Sequence, residues 1–415
     1  MADLDAARLL AALSLCLDFS ARGVDRHHQR VALTSLSLAH ELDLPKDTRN
    51  LLFLAAVVHD IGVSTWAEKD TLHQFEVEDP WPHCQRGCAL LAGVSFLRPV
   101  ARAVLSHHDQ WQGSNRSGLV GADIPLAARI IHLADRVDVL LQDKENVLDQ
   151  RQKIVERITS VAGLVFDPHV TVAFRSLAGR ESFWLDLVSP FLLRRLQELG
   201  PPVPVKLDIA SLQEVASLFA ALIDDKSRFT YHHSHRVAAV AAETARSLGF
   251  PPTQLAAMRV AGLLHDLGKL SIDGTLLDKP SHLTWEEMNI FRQHPYYTYR
   301  ILKEAGDLDP LPAWAAYHHE RLDGSGYPFR LDNASLDQGA RIIAASDVFV
   351  ALCEDRPYRP GLPRCEIARL LEEEVARGAL DADAVAAVLD VTSRRREELC
   401  TVPLSFLHPR SCGDA

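Results

Sequence analysis

At 415 residues the chain exceeds one ordinary hydrophobic core, and 47% hydrophobic with 24% charged residues excludes a disordered chain or a fibre. The formal charge of −11, with no long basic run, argues against nucleic-acid binding through a general phosphate-attracting field. No apolar run reaches the roughly 18 residues of a membrane span, and the start MADLDAARLL lacks the basic region of a signal peptide. The seven cysteines show no paired spacing. Reduced thiols in a cytoplasmic protein, with no membrane and no nucleic acid as partner, are therefore expected.

Glycine and proline are sparse inside long apolar-periodic stretches, so an all-α fold is expected. Helices are read over residues 9–19 and 26–42, and a third opens at Pro45. The body of the third, LLFLAAVV, is apolar all round and runs into His59-Asp60-Ile61-Gly62. Further helices are read over 84–97, 98–106 and 127–141. Gly200-Pro-Pro-Val-Pro-Val205 is the clearest linker, because adjacent prolines stiffen a chain and cannot continue a helix. After it the pattern resumes over 207–225 and 232–248, and Pro251-Pro252 opens a helix ending in AGLLHDLG. The expected division is a domain over 1–199, a linker over 200–206 and a second domain over 207–415.

Subtraction exposes an internal repeat. His27 and His233, each three residues before an Arg-Val, lie 206 positions apart (233 − 27), as do His59-Asp60 and His265-Asp266. His83 and His294 are separated by 211, as are the pairs His107-His108 and His318-His319. Asp135 and Asp347, each after Arg-Ile-Ile, are 212 apart, and Asp167 and Asp381 continue the series at 214. Five chemically matched sites at a slowly drifting offset mark a duplicated helical domain. Each copy offers five histidines and two aspartates, a set too large for one ion and suited to two. Imidazole and carboxylate favour first-row divalent metals such as iron, manganese, cobalt and zinc. Two ions about 4 Å apart clamp a phosphodiester for in-line attack. The aspartate of each His-Asp pair is placed to bridge them. A lone histidine such as His282 or His408 carries no such implication.

The second copy contains His265-Asp266-Leu-Gly-Lys269, His294-Pro295 and, at 318–328, HHERLDGSGYP. Over roughly residues 205–395 it resembles the HD-GYP family, a branch of the HD-domain metal phosphohydrolases. The resemblance implies tandem all-α HD domains and hydrolysis of cyclic di-GMP to linear pGpG and on to GMP. In some members the substrate is a related cyclic dinucleotide such as 3′,3′-cyclic GMP-AMP. By motif, the implied metal ligands are His233, His265, Asp266, His294, His318, His319 and Asp347. Trinuclear members of the family carry a Glu four residues before the first histidine. That position is Phe229 here, so two ions per site, iron or manganese, are expected.

The resemblance also assigns substrate contacts. Asp266 and Lys269 are the expected catalytic residues, with Lys269 against the scissile phosphate to neutralise developing charge. Tyr327 bounds the pocket, while Gly324 and Gly326 allow the backbone to turn tightly. Arg356 and Arg359 resemble the cations that hold phosphate or guanine, a role suited to the planar guanidinium fork. Glu320 is expected to orient a histidine rather than to bind metal.

The first copy keeps His27, His59, Asp60, His83, His107, His108 and Asp135, a candidate second metal site. It departs from the family at the phosphate-facing positions. Val63 stands where the second copy has Lys269, Asp109 replaces the glutamate, HHDQWQGSN lacks Gly-Tyr-Pro, and Lys144 and Val147 match Arg356 and Arg359. Such a degenerate copy is either a regulatory pseudo-enzyme or a hydrolase for another phosphate ester. For the whole chain two readings compete with cyclic di-GMP hydrolysis. One is an enzyme for another cyclic dinucleotide or phosphate ester. The other is an adaptor that binds the nucleotide or a diguanylate cyclase of the GGDEF class without turnover. A homodimer is the remaining partner expectation.

Overall fold

The computed structural model describes residues 4–20, 23–200, 206–227, 232–355 and 360–394. Helices carry the architecture. Among the described residues the strands are two-residue pairs, such as Phe19–Ser20 antiparallel to Gly23–Val24. No helix among them is long and apolar enough to cross a membrane. The five described cysteines are free thiols. The chain divides into two compact units, one built from Asp5–Lys206 and the other beginning at Leu207.

The first unit is organised around the helix His27–Glu41, which packs on Lys46–Ala56 and Leu126–Val139. Val31, Leu36, Leu52, Ile130 and Ile131 are fully buried at these contacts. Such apolar residues at three- and four-residue spacing turn one helix face inward. The second unit repeats the arrangement. Its helix His233–Ser247 packs on Pro252–Leu264 and Gln338–Cys353, with Val237, Met258, Val260, Ile342 and Ile343 buried. Capping acids hold several helix starts: Asp208 accepts from the backbone N–H of Ser211 and Asp337 from that of Ala340.

Two details position the site. The helix expected to run into His59 stops at Ala56 instead, and the His-Asp pair lies on the turns that follow. A Cβ at Gly62 would meet the His83 carbonyl oxygen at 2.0 Å, and one at Gly268 would meet that of His294 at 1.9 Å. The glycine after each His-Asp thus lets the backbone carrying the third histidine approach directly. The residue before the first histidine is also left-handed in both copies, Arg26 at φ 60° and His232 at φ 66°. A non-glycine residue held there stores strain, a common feature of functional sites.

Asp167 and Asp381, which continue the repeat in sequence, lie apart from the histidine clusters and serve the fold. Asp167 caps the helix Pro168–Ala178 and pairs with Arg129 at 2.5 Å. Asp381 accepts from the Ala384 backbone N–H and pairs with Arg341 at 2.9 Å.

Candidate metal centre

In the second unit five local structures deliver seven side chains to one buried point. His233 opens the helix His233–Ser247, His265 caps the end of Pro252–Leu264, and Asp266 follows it. His294 opens the helix His294–Glu304, His318 and His319 sit on a short 3-10 turn, and Asp347 projects from Gln338–Cys353. Asp266 lies between two histidine pairs. Its Oδ2 is 3.3 Å from His265 Nε2 and 3.9 Å from His233 Nε2. Its Oδ1 is 3.4 Å from His294 Nε2 and 3.7 Å from His318 Nε2. Asp347 Oδ1 completes the first group, 3.2 Å from His233 Nε2 and 3.7 Å from His265 Nε2. Two groups therefore share one carboxylate: His233, His265 and Asp347 on one side, and His294, His318 and His319 on the other.

The rings are aimed from behind. Nδ1 of His265, His294 and His318 donates to the carbonyl three residues earlier, at Gly262, Phe291 and Ala315, over 2.7–2.8 Å. His233 Nδ1 instead donates to Glu354 at 2.8 Å. Fixing the proton on Nδ1 leaves each Nε2 lone pair pointing inward, the preparation a metal-binding imidazole needs. His265 Nε2 and Asp266 Oδ1 are fully buried with no hydrogen-bond partner. A buried polar atom without a partner is costly, and a cation at this point would satisfy both. The donor set fits a first-row divalent metal.

The electrostatics agree. Burial opposes charge on Asp266 and Asp347, yet the surrounding imidazoles hold both carboxyls well below the usual range. Burial would depress His265, but Asp266 and Asp347 push it up to about 10. His294 and His318 are driven down by burial, to about 3 and about 4. The cluster thus keeps its carboxylates ionised and the His294 and His318 rings neutral and able to donate lone pairs. Asp266 and Asp347 favour positive charge at His265, where a bound cation would take the place of the proton.

Around this core, Lys269 Nζ lies 2.5 Å from Asp266 Oδ2 and 5.6 Å from the centre of the Phe291 ring. Tyr327 stacks on His319, ring centroids 4.8 Å apart, and its backbone N–H donates to the His319 carbonyl at 3.2 Å. Gly324 is left-handed at φ 76°, and a Cβ at Gly326 would lie 2.4 Å from Glu320 Cα. Both glycines are therefore required by the backbone. Glu320 does not orient a histidine as expected. It is buried and accepts from the backbone N–H groups of Phe329 and Leu331 at 2.8 and 2.9 Å, so it clamps the loop that carries Tyr327. Arg356, Arg359 and Phe229 lie outside the described residues.

Two residues escaped the sequence reading. Glu354 positions His233, and only the fold brings it there across 121 positions. Arg292, two residues before His294, holds its guanidinium 5.2 Å from the Tyr327 ring, and its Nε is buried without a hydrogen-bond partner. Its proximity to His294 in sequence was the available signal.

The first unit assembles its seven candidates in the same way. Asp60 Oδ1 is 3.3 Å from His83 Nε2 and 3.2 Å from His107 Nε2, while Oδ2 is 3.7 Å from His59 Nε2 and 4.0 Å from His27 Nε2. Asp135 Oδ1 lies 3.6 Å from His27 Nε2, and His108 joins the group of Asp60, His83 and His107.

A sequence profile described as the HD domain matches the chain twice, over residues 13–170 and 217–383. The 3′3′-cGAMP-specific phosphodiesterase 1 of Vibrio cholerae is 31% identical over 91% of this chain and 89% of its own length. This chain belongs to the HD-domain family, in its HD-GYP branch. A second HD-GYP relative, the 3′3′-cGAMP-specific phosphodiesterase 3 of the same organism, is 32% identical over 78% of this chain and 69% of its own. The crystal structure of a cyclic GMP-AMP specific phosphodiesterase of Vibrio cholerae superposes with a TM-score of 0.69 at 25% identity. It covers 94% of this chain and 98% of the other. The cyclic di-GMP phosphodiesterase PA4108 of Pseudomonas aeruginosa is 36% identical over 38% of each chain. The tandem all-α HD-domain architecture expected from the repeat is thus shared along nearly the whole chain.

Proposed function

We propose that this HD-GYP protein is a metal-dependent phosphodiesterase that opens cyclic dinucleotides, and that its second unit is the hydrolytic one. The observation that carries the reading is Asp266, whose two oxygens face separate histidine groups while Lys269 reaches one of them. His233, His265 and Asp347 would hold one divalent ion, iron or manganese, and His294, His318 and His319 the other, with Asp266 shared. Such a pair supplies Lewis-acid stabilisation of the charge that develops on phosphorus-bound oxygens. Lys269, 13% exposed and facing the same carboxylate, adds a positive charge on the substrate side. Tyr327 offers a ring face beside His319, and Arg292 a guanidinium suited to a phosphate or a guanine edge. Buried Nδ1 hydrogen bonds keep the histidine rings from turning as substrate enters.

We infer 3′,3′-cyclic GMP-AMP as the preferred substrate. Its support is the likeness along both halves to two enzymes of that printed specificity. Cyclic di-GMP is the second reading, supported by a higher identity over a shorter stretch. The test is a panel of cyclic dinucleotides offered to the full chain loaded with iron or manganese, with linear products separated by chromatography. Cyclic GMP-AMP is expected to turn over at least about tenfold faster than cyclic di-GMP, a gap of about 1.4 kcal/mol in the barrier. Equal or inverted rates would reverse the substrate order. Binding without any linear product, by metal-loaded protein, would leave the adaptor reading in place of the enzyme.

A further inference from the structure

We propose that the N-terminal half carries its own buried divalent-metal centre, built to retain metal rather than to turn over a phosphate ester. Its tighter group is His83, His107, His108 and Asp60, and its second is His27, His59 and Asp135.

The spacing within the tighter group is metrical. A tetrahedral ion with bonds of about 2.0–2.1 Å sets its ligand atoms about 3.4 Å apart. His83 Nε2 and His107 Nε2 are 3.4 Å apart, and Asp60 Oδ1 lies 3.3 and 3.2 Å from them. Three edges of a tetrahedron are in place. The fourth donor is His108, whose side chain is 5% exposed and whose Nε2 is buried without a partner. The rings are held in register as in the other half. His107 Nδ1 donates to the Val104 carbonyl at 2.6 Å, and His59 Nδ1 to that of Ala56 at 2.9 Å. His27 Nδ1 donates to Asp138 Oδ2 at 2.7 Å, and Arg30 pairs with the same carboxylate at 2.5 Å. Three imidazoles and one carboxylate suit borderline ions such as zinc or cobalt better than magnesium.

What surrounds these donors favours retention. Arg136 Nη2 donates to Asp135 Oδ2 at 2.6 Å and to the Leu72 carbonyl at 3.1 Å, and Nη1 donates to the Gln74 carbonyl. The guanidinium therefore ties the 72–74 segment to the outer carboxylate, leaving the Asp135 side chain 2% exposed. On the side of the bridging carboxylate, the described residues pair Asp60 with histidines and with no lysine or arginine, and Val63 stands where the other half has Lys269. The donors are complete and the substrate-facing charge is missing.

The experiment uses the full chain in reciprocal variants, probed with Co2+ and by elemental analysis after dialysis. A chain with His265→Ala and Asp266→Ala is expected to keep at least one equivalent of metal and to show the intense visible bands of tetrahedral cobalt. A chain with His83→Ala and His107→Ala is expected to hold at least one equivalent less than the unaltered protein and to lose those bands. The proposal is overturned if the first variant binds no cobalt, or if the second binds as much as the unaltered chain. Should either variant fail to fold, the other still decides the count against the unaltered protein.

Discussion

The two halves of this HD-GYP protein hold matching sets of histidine and aspartate, and they place the neighbouring cation on different carboxylates. In the C-terminal half Lys269 lies 2.5 Å from the bridging Asp266, which is 3% exposed, while the outer Asp347 is 11% exposed. In the N-terminal half Arg136 lies 2.6 Å from the outer Asp135, 2% exposed, and the bridging Asp60 is 10% exposed. Each cluster thus neutralises one carboxylate with a fixed cation and leaves the other nearer to solvent. A lysine on a flexible stem beside the shared carboxylate can meet a phosphate. A guanidinium bound to Asp135 and two backbone carbonyls has its donors committed. Copying the ligands did not copy the chemistry around them.

The acid behind the first histidine makes the same point. Glu354, just past the helix Gln338–Cys353, holds both His233 and Arg236. In the other half Asp138, inside the helix Leu126–Val139, holds both His27 and Arg30. The role is preserved from positions that do not correspond in the repeat.

Three substitutions sharpen the contrast. Replacing Lys269→Ala should lower kcat about 10²–10³-fold, the scale of losing one preorganised charge at a developing anion, while elemental analysis finds metal content unchanged. A wild-type rate would place the decisive difference between the halves elsewhere. Arg292→Leu should raise KM about tenfold with a smaller effect on kcat, because a charge-assisted contact is worth about 1.5–3 kcal/mol and is partly replaced by water. An unaltered KM would remove Arg292 from the pocket. Glu320→Gln weakens the charge-assisted clamp on Phe329 and Leu331 and should cost about 1 kcal/mol. A Tm lower by about 2–4 °C is then expected for a unit of this size. No Tm change would show that the loop is held by other contacts.

Much of this was legible in the sequence because metal ligation ties chemistry to spacing. The histidine and aspartate positions could be subtracted from one another, and the structure brings all fourteen together in two groups of seven. Helix positions were legible from apolar period, as with His27–Glu41 and His233–Ser247. What could not be read was long-range and depends on packing. Glu354 reaches His233 across 121 positions, and Arg136 reaches Leu72 across 64. Glu320 looked like a partner for the adjacent histidines, but the fold turns its carboxylate to the backbone of Phe329 and Leu331. The end of the third helix at Ala56 was hidden because the apolar run LLFLAAVV continues past it to Val58 without a glycine or proline to mark the turn.

The shared role of Asp266 is tested by the turnover of the metal-loaded Asp266→Asn chain on 3′,3′-cyclic GMP-AMP, with metal content and circular dichroism measured on the same sample. The amide keeps the shape of the side chain and removes the charge shared by the two histidine groups. Linear product is expected to fall by about 10³-fold or more in a folded chain. Undiminished hydrolysis by that folded variant would contradict the assignment of the chemistry to the C-terminal half.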